Sequence, residues 1–120
     1  MRVQIKATNI ALTDSVRDYV DKRLGSLEKF FVDNPDTLVN VEVGKESLHH
    51  KAGAVYMAEV HIILAGEEYY AKSEGEDLNS AIDDVKDEIT HELVSKRKKA
   101  RVLLRKGGAK IKNILKRLKW

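Results

Sequence analysis

The hydrophobic period of this chain switches from two to 3.6, back to two for three stretches, and then to 3.6 again. That order leaves few folds open. In residues 2–7, Val3, Ile5 and Ala7 lie on one side and Arg2, Gln4 and Lys6 on the other, as in a half-buried strand. Thr13 is a helix N-cap, because its hydroxyl can satisfy an orphan first-turn amide. Asp14 and Asp18 favour the positive end of that helix dipole. Val16, Tyr19, Val20, Leu24, Leu27, Phe30 and Phe31 then recur at helical spacing, which predicts one helix over residues 14–31. Gly25 weakens it by ~1 kcal/mol relative to alanine. Asp33-Asn34-Pro35-Asp36 ends it, because proline lacks an amide hydrogen and restricts the residue before it.

Residues 38–46 alternate again, with Val39, Val41 and Val43 inward. A polar loop over 47–53 precedes a long strand over 54–64, whose inward set is Tyr56, Ala58, Val60, Ile62 and Leu64. Ala65-Gly66-Glu67 reads as a short turn, with Gly66 supplying the positive φ a hairpin needs. Residues 68–73 return with Tyr69 and Ala71 inward, and Gly75 breaks the strand. Asp77 can cap a second helix with the apolar face Leu78, Ala81, Ile82, Val85, Ile89 and Leu93.

The fold class expected is α+β, ordered β-α-β-β-β-α: a four-stranded mixed sheet with two helices on one face, plus a basic C-terminal extension. The first two strands should be parallel through a crossover, the others antiparallel. The second sheet face should stay wet, carrying Arg2, Lys6, Asn40, Glu42, Glu59, His61, Tyr70 and Lys72. One folded domain over 1–100 and a basic helical or flexible tail over 101–120 are expected. The second helix can run on through residues 96–105. Gly107-Gly108 reads as a hinge, followed by a short basic amphipathic helix with Ile111, Ile114, Leu115 and Leu118 on its apolar side.

Charge is segregated along this pattern. Of the 22 Lys and Arg, 12 lie in residues 96–120, which contain no Asp or Glu. The other 95 residues hold the remaining 10 against all 19 acidic residues, a balance of −9. An acidic body with a +12 tail points to a polyanionic partner, since a run of Lys and Arg can release counterions from phosphates. A solvated tail or contact with anionic lipid are the competing readings, and the single Trp120 and short apolar face weigh against lipid. No apolar run approaches the ~20 residues a membrane span needs. No signal core opens the chain, and no cysteine supplies a disulfide or thiolate site, so a cytoplasmic setting is expected.

Catalysis has no support. Phosphate-binding glycine loops and nucleophile elbows are absent. His49 and His50 are adjacent in a loop without a third ligand, so no metal and no cofactor are expected. The carboxylates Asp83, Asp84, Asp87 and Glu88 read as helix solvation around Lys86. On the first helix Lys22 and Lys29 are seven residues apart, on a face opposite the core, and Arg23 sits at the edge of the apolar stripe.

Three stretches bear a family resemblance: residues 10–20 (IALTDSVRDYV), 24–31 (LGSLEKFF) and 73–83 (SEGEDLNSAID). With the element order, they resemble the short ribosome hibernation-promoting factors, also called ribosome-associated inhibitor A or sigma-54 modulation proteins. The resemblance covers about residues 1–100. It implies a fold like double-stranded RNA-binding domains. It also implies binding to the small ribosomal subunit and its rRNA, where messenger and transfer RNAs sit. Translation would be blocked by steric exclusion in idle, stress or stationary-phase ribosomes. No small-molecule substrate and no membrane partner are implied, and the chain is expected to be monomeric off the ribosome.

The resemblance matches Arg23 and Lys29 to basic positions of the family's first helix, and Lys99 to one near the end of the second. Glu88 and His91 depart from it, standing where Lys or Arg is usual, and Asn79 stands where an aromatic is usual. The rRNA-binding set expected is therefore Lys22, Arg23, Lys29, Lys96, Arg97, Lys98, Lys99, Arg101, Arg105 and Lys106. In it, charge has moved down the chain from positions 88 and 91. A protein-interaction or transcription-modulating regulator, using the acidic body and open sheet, is the alternative.

Overall fold

The computed structural model describes residues 1–47 and 54–105, with side chains described over 1–46 and 55–96. The elements are β1 (Arg2–Thr8), α1 (Asp14–Leu24), a 3₁₀ helix (Gly25–Phe31), β2 (Leu38–Ser47), β3 (Ala54–Leu64), β4 (Glu67–Gly75) and α2 (Leu78–Arg105). The sheet order is β1-β2-β3-β4. β1 runs parallel to β2, with Val3 opposite Val39 and Ile5 opposite Val41. β2–β3 and β3–β4 are antiparallel. This is the expected β-α-β-β-β-α arrangement.

One core joins the helices to one sheet face. Val39, Val41, Val43, Ala58, Val60, Ile62, Leu64, Tyr69 and Ala71 face Val20, Leu24 and Leu27 from the first helical stretch. Ala81, Ile82, Val85, Ile89 and Leu93 of α2 complete it. Tyr56, expected inward, is only half-buried, whereas its neighbour Met57 is buried.

The helix expected over 14–31 is not one helix. Thr13 caps it as anticipated, accepting from the Val16 amide at 3.2 Å. The α winding stops at Leu24, and Gly25–Phe31 winds as 3₁₀. Three residues per turn align Leu24, Leu27 and Phe30 on one line, and all three are buried. The tighter winding also removes the seven-residue coincidence that put Lys22 and Lys29 on one face.

The β3–β4 turn is one residue shorter than expected. Leu64 pairs with Glu67, leaving Ala65-Gly66 as a two-residue loop. Both lie at positive φ, 50° and 84°, as a type I′ turn requires.

At the far end of β4, Asp77 caps α2 through a 2.8 Å bond from the Ser80 amide to Oδ1. The helix then runs 28 residues, unbroken through position 100 to Arg105. The proposed hinge at Gly107-Gly108 and the amphipathic stretch beyond it lie outside the described residues.

Candidate nucleic-acid interface

Helix α2 runs back along β4. Its start is near Gly75, where a Cβ would stand 3.2 Å from the Ala81 amide nitrogen, and Lys96 reaches Glu68 near the start of the strand. Nine more residues follow Lys96, roughly 13 Å of helix at 1.5 Å per residue. They include Arg97, Lys98, Lys99, Arg101 and Arg105. Arg97, Arg101 and Arg105 occupy positions i, i+4 and i+8, on adjoining turns. With Lys96, the structure thus carries six of the candidate residues on one continuous backbone element. Lys106 lies outside the described residues.

The other candidates are not equivalent. Lys22, in the last turn of α1, is exposed. Lys29 is exposed on the 3₁₀ helix, its Nζ 5.4 Å from the Phe30 ring centre. Arg23 is engaged within the protein, its Nε lying 2.6 Å from Asp83 Oδ1 in α2. The same oxygen accepts from the Tyr19 hydroxyl at 2.7 Å. The hydrogen bond to Asp83 raises the Arg23 pKa and also that of Tyr19. Lys96 is engaged more fully. Its Nζ donates to the Glu68 carbonyl at 2.6 Å, lies 3.5 Å from Glu92 Oε1, and sits 4.3 Å from the Tyr69 ring centre. A lysine held this way fastens α2 to β4.

The departures on α2 sit in plain view: Asn79, Glu88 and His91 are exposed, as are Asp84 and Asp87. Lys86 Nζ approaches Asp87 Oδ1 at 3.7 Å. On the outer sheet face Arg2, Lys6, Asn40, Tyr70 and Lys72 are exposed, while Glu42, Glu59 and His61 are partly covered. Several of these side chains are engaged by near neighbours. Lys72 meets Glu46 at 3.3 Å, Thr8 donates to Glu42 at 3.0 Å, and the Tyr70 hydroxyl bonds Glu59. The Lys72 pKa is raised by its bond to Glu46, and that of Tyr70 by its bond to Glu59. His61 Nε2 lies 3.7 Å from Glu68. A cavity of about 620 Å³ on this side is lined by Gln4, Lys6, Arg17, Asn40, Glu59 and His61 among others.

Among the described residues no group of three or more His, Asp or Glu is placed to hold a metal ion. His49 and His50 lie outside them. No described helix is long and apolar enough to cross a membrane.

Two residues that the sequence did not single out as partners shape this surface: Asp83, through Arg23, and Glu92, through Lys96. The i, i+4 spacing of Glu92 and Lys96 was a readable signal. Asp83 and Arg23, 60 residues apart, had none.

The family model described as Sigma 54 modulation protein / S30EA ribosomal protein matches residues 3–101. A ribosome hibernation promoting factor of Azotobacter vinelandii is 32% identical over 82% of this chain and 85% of its own length. One from Pseudomonas putida is 30% identical, covering 92% of this chain and 100% of its own. A ribosome hibernation promotion factor of Staphylococcus aureus is 27% identical, and the chain spans only 46% of it. Among solved structures, the N-terminal domain of Protein Y from Thermus thermophilus superposes with a TM-score of 0.63 at 28% identity, covering 77% of this chain and 94% of that one. A ribosomal subunit interface protein from Coxiella burnetii, at 13% identity and a TM-score of 0.65, shares the fold. It covers 81% of this chain and 98% of its own.

Proposed function

Because the chain belongs to the Sigma 54 modulation protein / S30EA ribosomal protein family, whose hibernation factors are non-enzymatic, we propose that it is a ribosome hibernation factor. In this reading it binds rRNA of the small subunit at the mRNA/tRNA channel and inhibits translation by steric exclusion. It acts in the cytoplasm, with no cofactor and no small-molecule substrate.

The observation that carries this reading is the continuation of α2 to Arg105 with Arg97, Lys98, Lys99, Arg101 and Arg105 on it. The same segment has no acidic residue to neutralise them. Cationic side chains on a rigid helix bind phosphates without reading bases, which suits folded rRNA recognised by shape. The acidic body would repel RNA elsewhere, so attraction is confined to the end of α2, the tail, and Lys22 and Lys29. Arg23 contributes through whatever part of its guanidinium Asp83 leaves open. Lys96 contributes mainly by fixing the line of α2. The family's basic positions are replaced at Glu88 and His91, and their electrostatic work falls to residues 97–106.

Sucrose-gradient sedimentation of a lysate, probed for this chain, tests the reading. Co-migration with small subunits or whole ribosomes supports it, and migration only with free protein contradicts it.

A further inference from the structure

We propose that the outer edge of β4 is a strand-pairing surface for a second copy of this chain, held shut by the Glu92–Lys96 pair of α2. The inference does not depend on RNA binding. Among the described residues β4 ends the sheet, so one row of its backbone groups faces no neighbouring strand there. Such an edge is a template for another strand unless something blocks it.

Here two of those groups are taken by side chains. The Tyr70 amide donates to Glu92 Oε2 at 3.3 Å. The Glu68 carbonyl accepts from Lys96 Nζ at 2.6 Å. In an antiparallel ladder alternate residues turn their N–H and C=O groups to opposite sides, so residues 68 and 70 share the outward row. Glu92 supplies an acceptor and Lys96 a donor, which is what an incoming strand would supply. The two side chains hold each other at 3.5 Å, and Lys96 is pinned over the Tyr69 ring.

The occupant that fits is β4 itself, reversed about Tyr70. In that alignment Tyr70 meets Tyr70 of the second copy, and Glu68 meets Lys72 twice over, once on each side of the two-fold axis. These pairs lie on the outer sheet face, where Tyr70 is 49% exposed. On the inner face Tyr69 meets Ala71. Opposite charges and aromatic pairs directly across strands favour such a register, and the contact is self-complementary. It needs the Tyr70 amide and the Glu68 carbonyl, the same groups that Glu92 and Lys96 occupy. Guard and second copy are therefore mutually exclusive.

Sedimentation velocity of the full chain tests this, alongside thermal melts that confirm folding. The wild type should sediment as a monomer. The variant Glu92→Ala with Lys96→Ala should double its sedimenting mass as concentration rises. Adding Lys72→Glu places carboxylates opposite each other and should abolish the dimer, and further adding Glu68→Lys should restore it. In the single variant Glu92→Gln, which keeps the side-chain size, the Tyr70 amide should exchange with solvent roughly two- to tenfold faster. A folded double variant that stays monomeric up to its solubility limit would overturn the proposal. So would a dimer indifferent to the charge swap, or, should the double variant not fold, unchanged Tyr70 exchange in Glu92→Gln.

Discussion

Arg23 of α1 and Asp83 of α2 are joined by a 2.6 Å contact across the two helices, and Tyr19 donates to the same carboxylate oxygen. One carboxylate thus ties α1 to α2 and engages a basic side chain that stays partly exposed. Asp83→Ala should lower the melting temperature, because the tie is removed. It should also tighten binding to small subunits at low salt, because it removes a negative charge and frees Arg23. Melting curves and a binding titration on the same variant check both signs. Weaker binding by a folded variant would mean that Asp83 instead holds Arg23 in its phosphate-binding pose.

Gly44 in β2 pairs with Thr8 of β1, and a Cβ at this position would stand 2.6 Å from the Thr8 carbonyl oxygen. That neighbour is backbone, so it can yield only by moving a strand. Gly44→Ala should cost about 1–3 kcal/mol, as overpacking of a filled site does. Urea denaturation reads the destabilisation, and a change within the fitting error would show that β1 shifts freely.

Ala65 holds a φ of 50° at the first position of the β3–β4 turn. The Cβ of an L-residue is strained there, and Asn tolerates it better. Ala65→Asn should stabilise the protein by up to about 1 kcal/mol. The same denaturation measurement should show the midpoint rising with an unchanged slope.

Most of the fold was legible because alternation and helical spacing report directly on which face is buried. Val39, Val41 and Val43, or Ile82, Val85 and Ile89, declare their elements without help from distant residues. The change to 3₁₀ winding was not legible, because Leu24, Leu27 and Phe30 fit either period closely over so short a stretch. The candidate site was legible as charge, not as geometry. Arg23 and Lys96 count as free cations in a sequence, yet Asp83 lies 60 residues from the first, and a carbonyl of β4 holds the second. Gly44 gave no sign of its role, since its neighbour Thr8 is set by strand register alone.

Tyr69 is fully buried, and burial, with Glu67 and Glu92 nearby, pushes its pKa from 10.0 up to about 12. The folded state therefore holds the proton more tightly than the unfolded chain does. The associated stability is complete below pH 10 and is lost as pH rises from about 10 to about 12. Denaturation midpoints should fall across that window in the wild type, with tyrosinate absorbance appearing as the protein unfolds. In Tyr69→Phe the fall should be smaller, leaving the part due to the raised Tyr19, Tyr70 and Lys72. An identical fall in both proteins would place the titrating group elsewhere.

The most direct measurement of the central claim is the salt dependence of binding to purified small ribosomal subunits. The logarithm of the wild-type affinity should fall steeply and linearly with the logarithm of salt concentration. With Arg97, Arg101 and Arg105 all changed to Ala, the slope should shrink by about 0.7–0.9 for each phosphate that is no longer neutralised. Lys96→Met should leave the slope unchanged, because that lysine is spent on Glu68 and Glu92. Binding that ignores salt, or a triple variant with the wild-type slope and affinity, would contradict a phosphate-held inhibitor anchored by the end of α2.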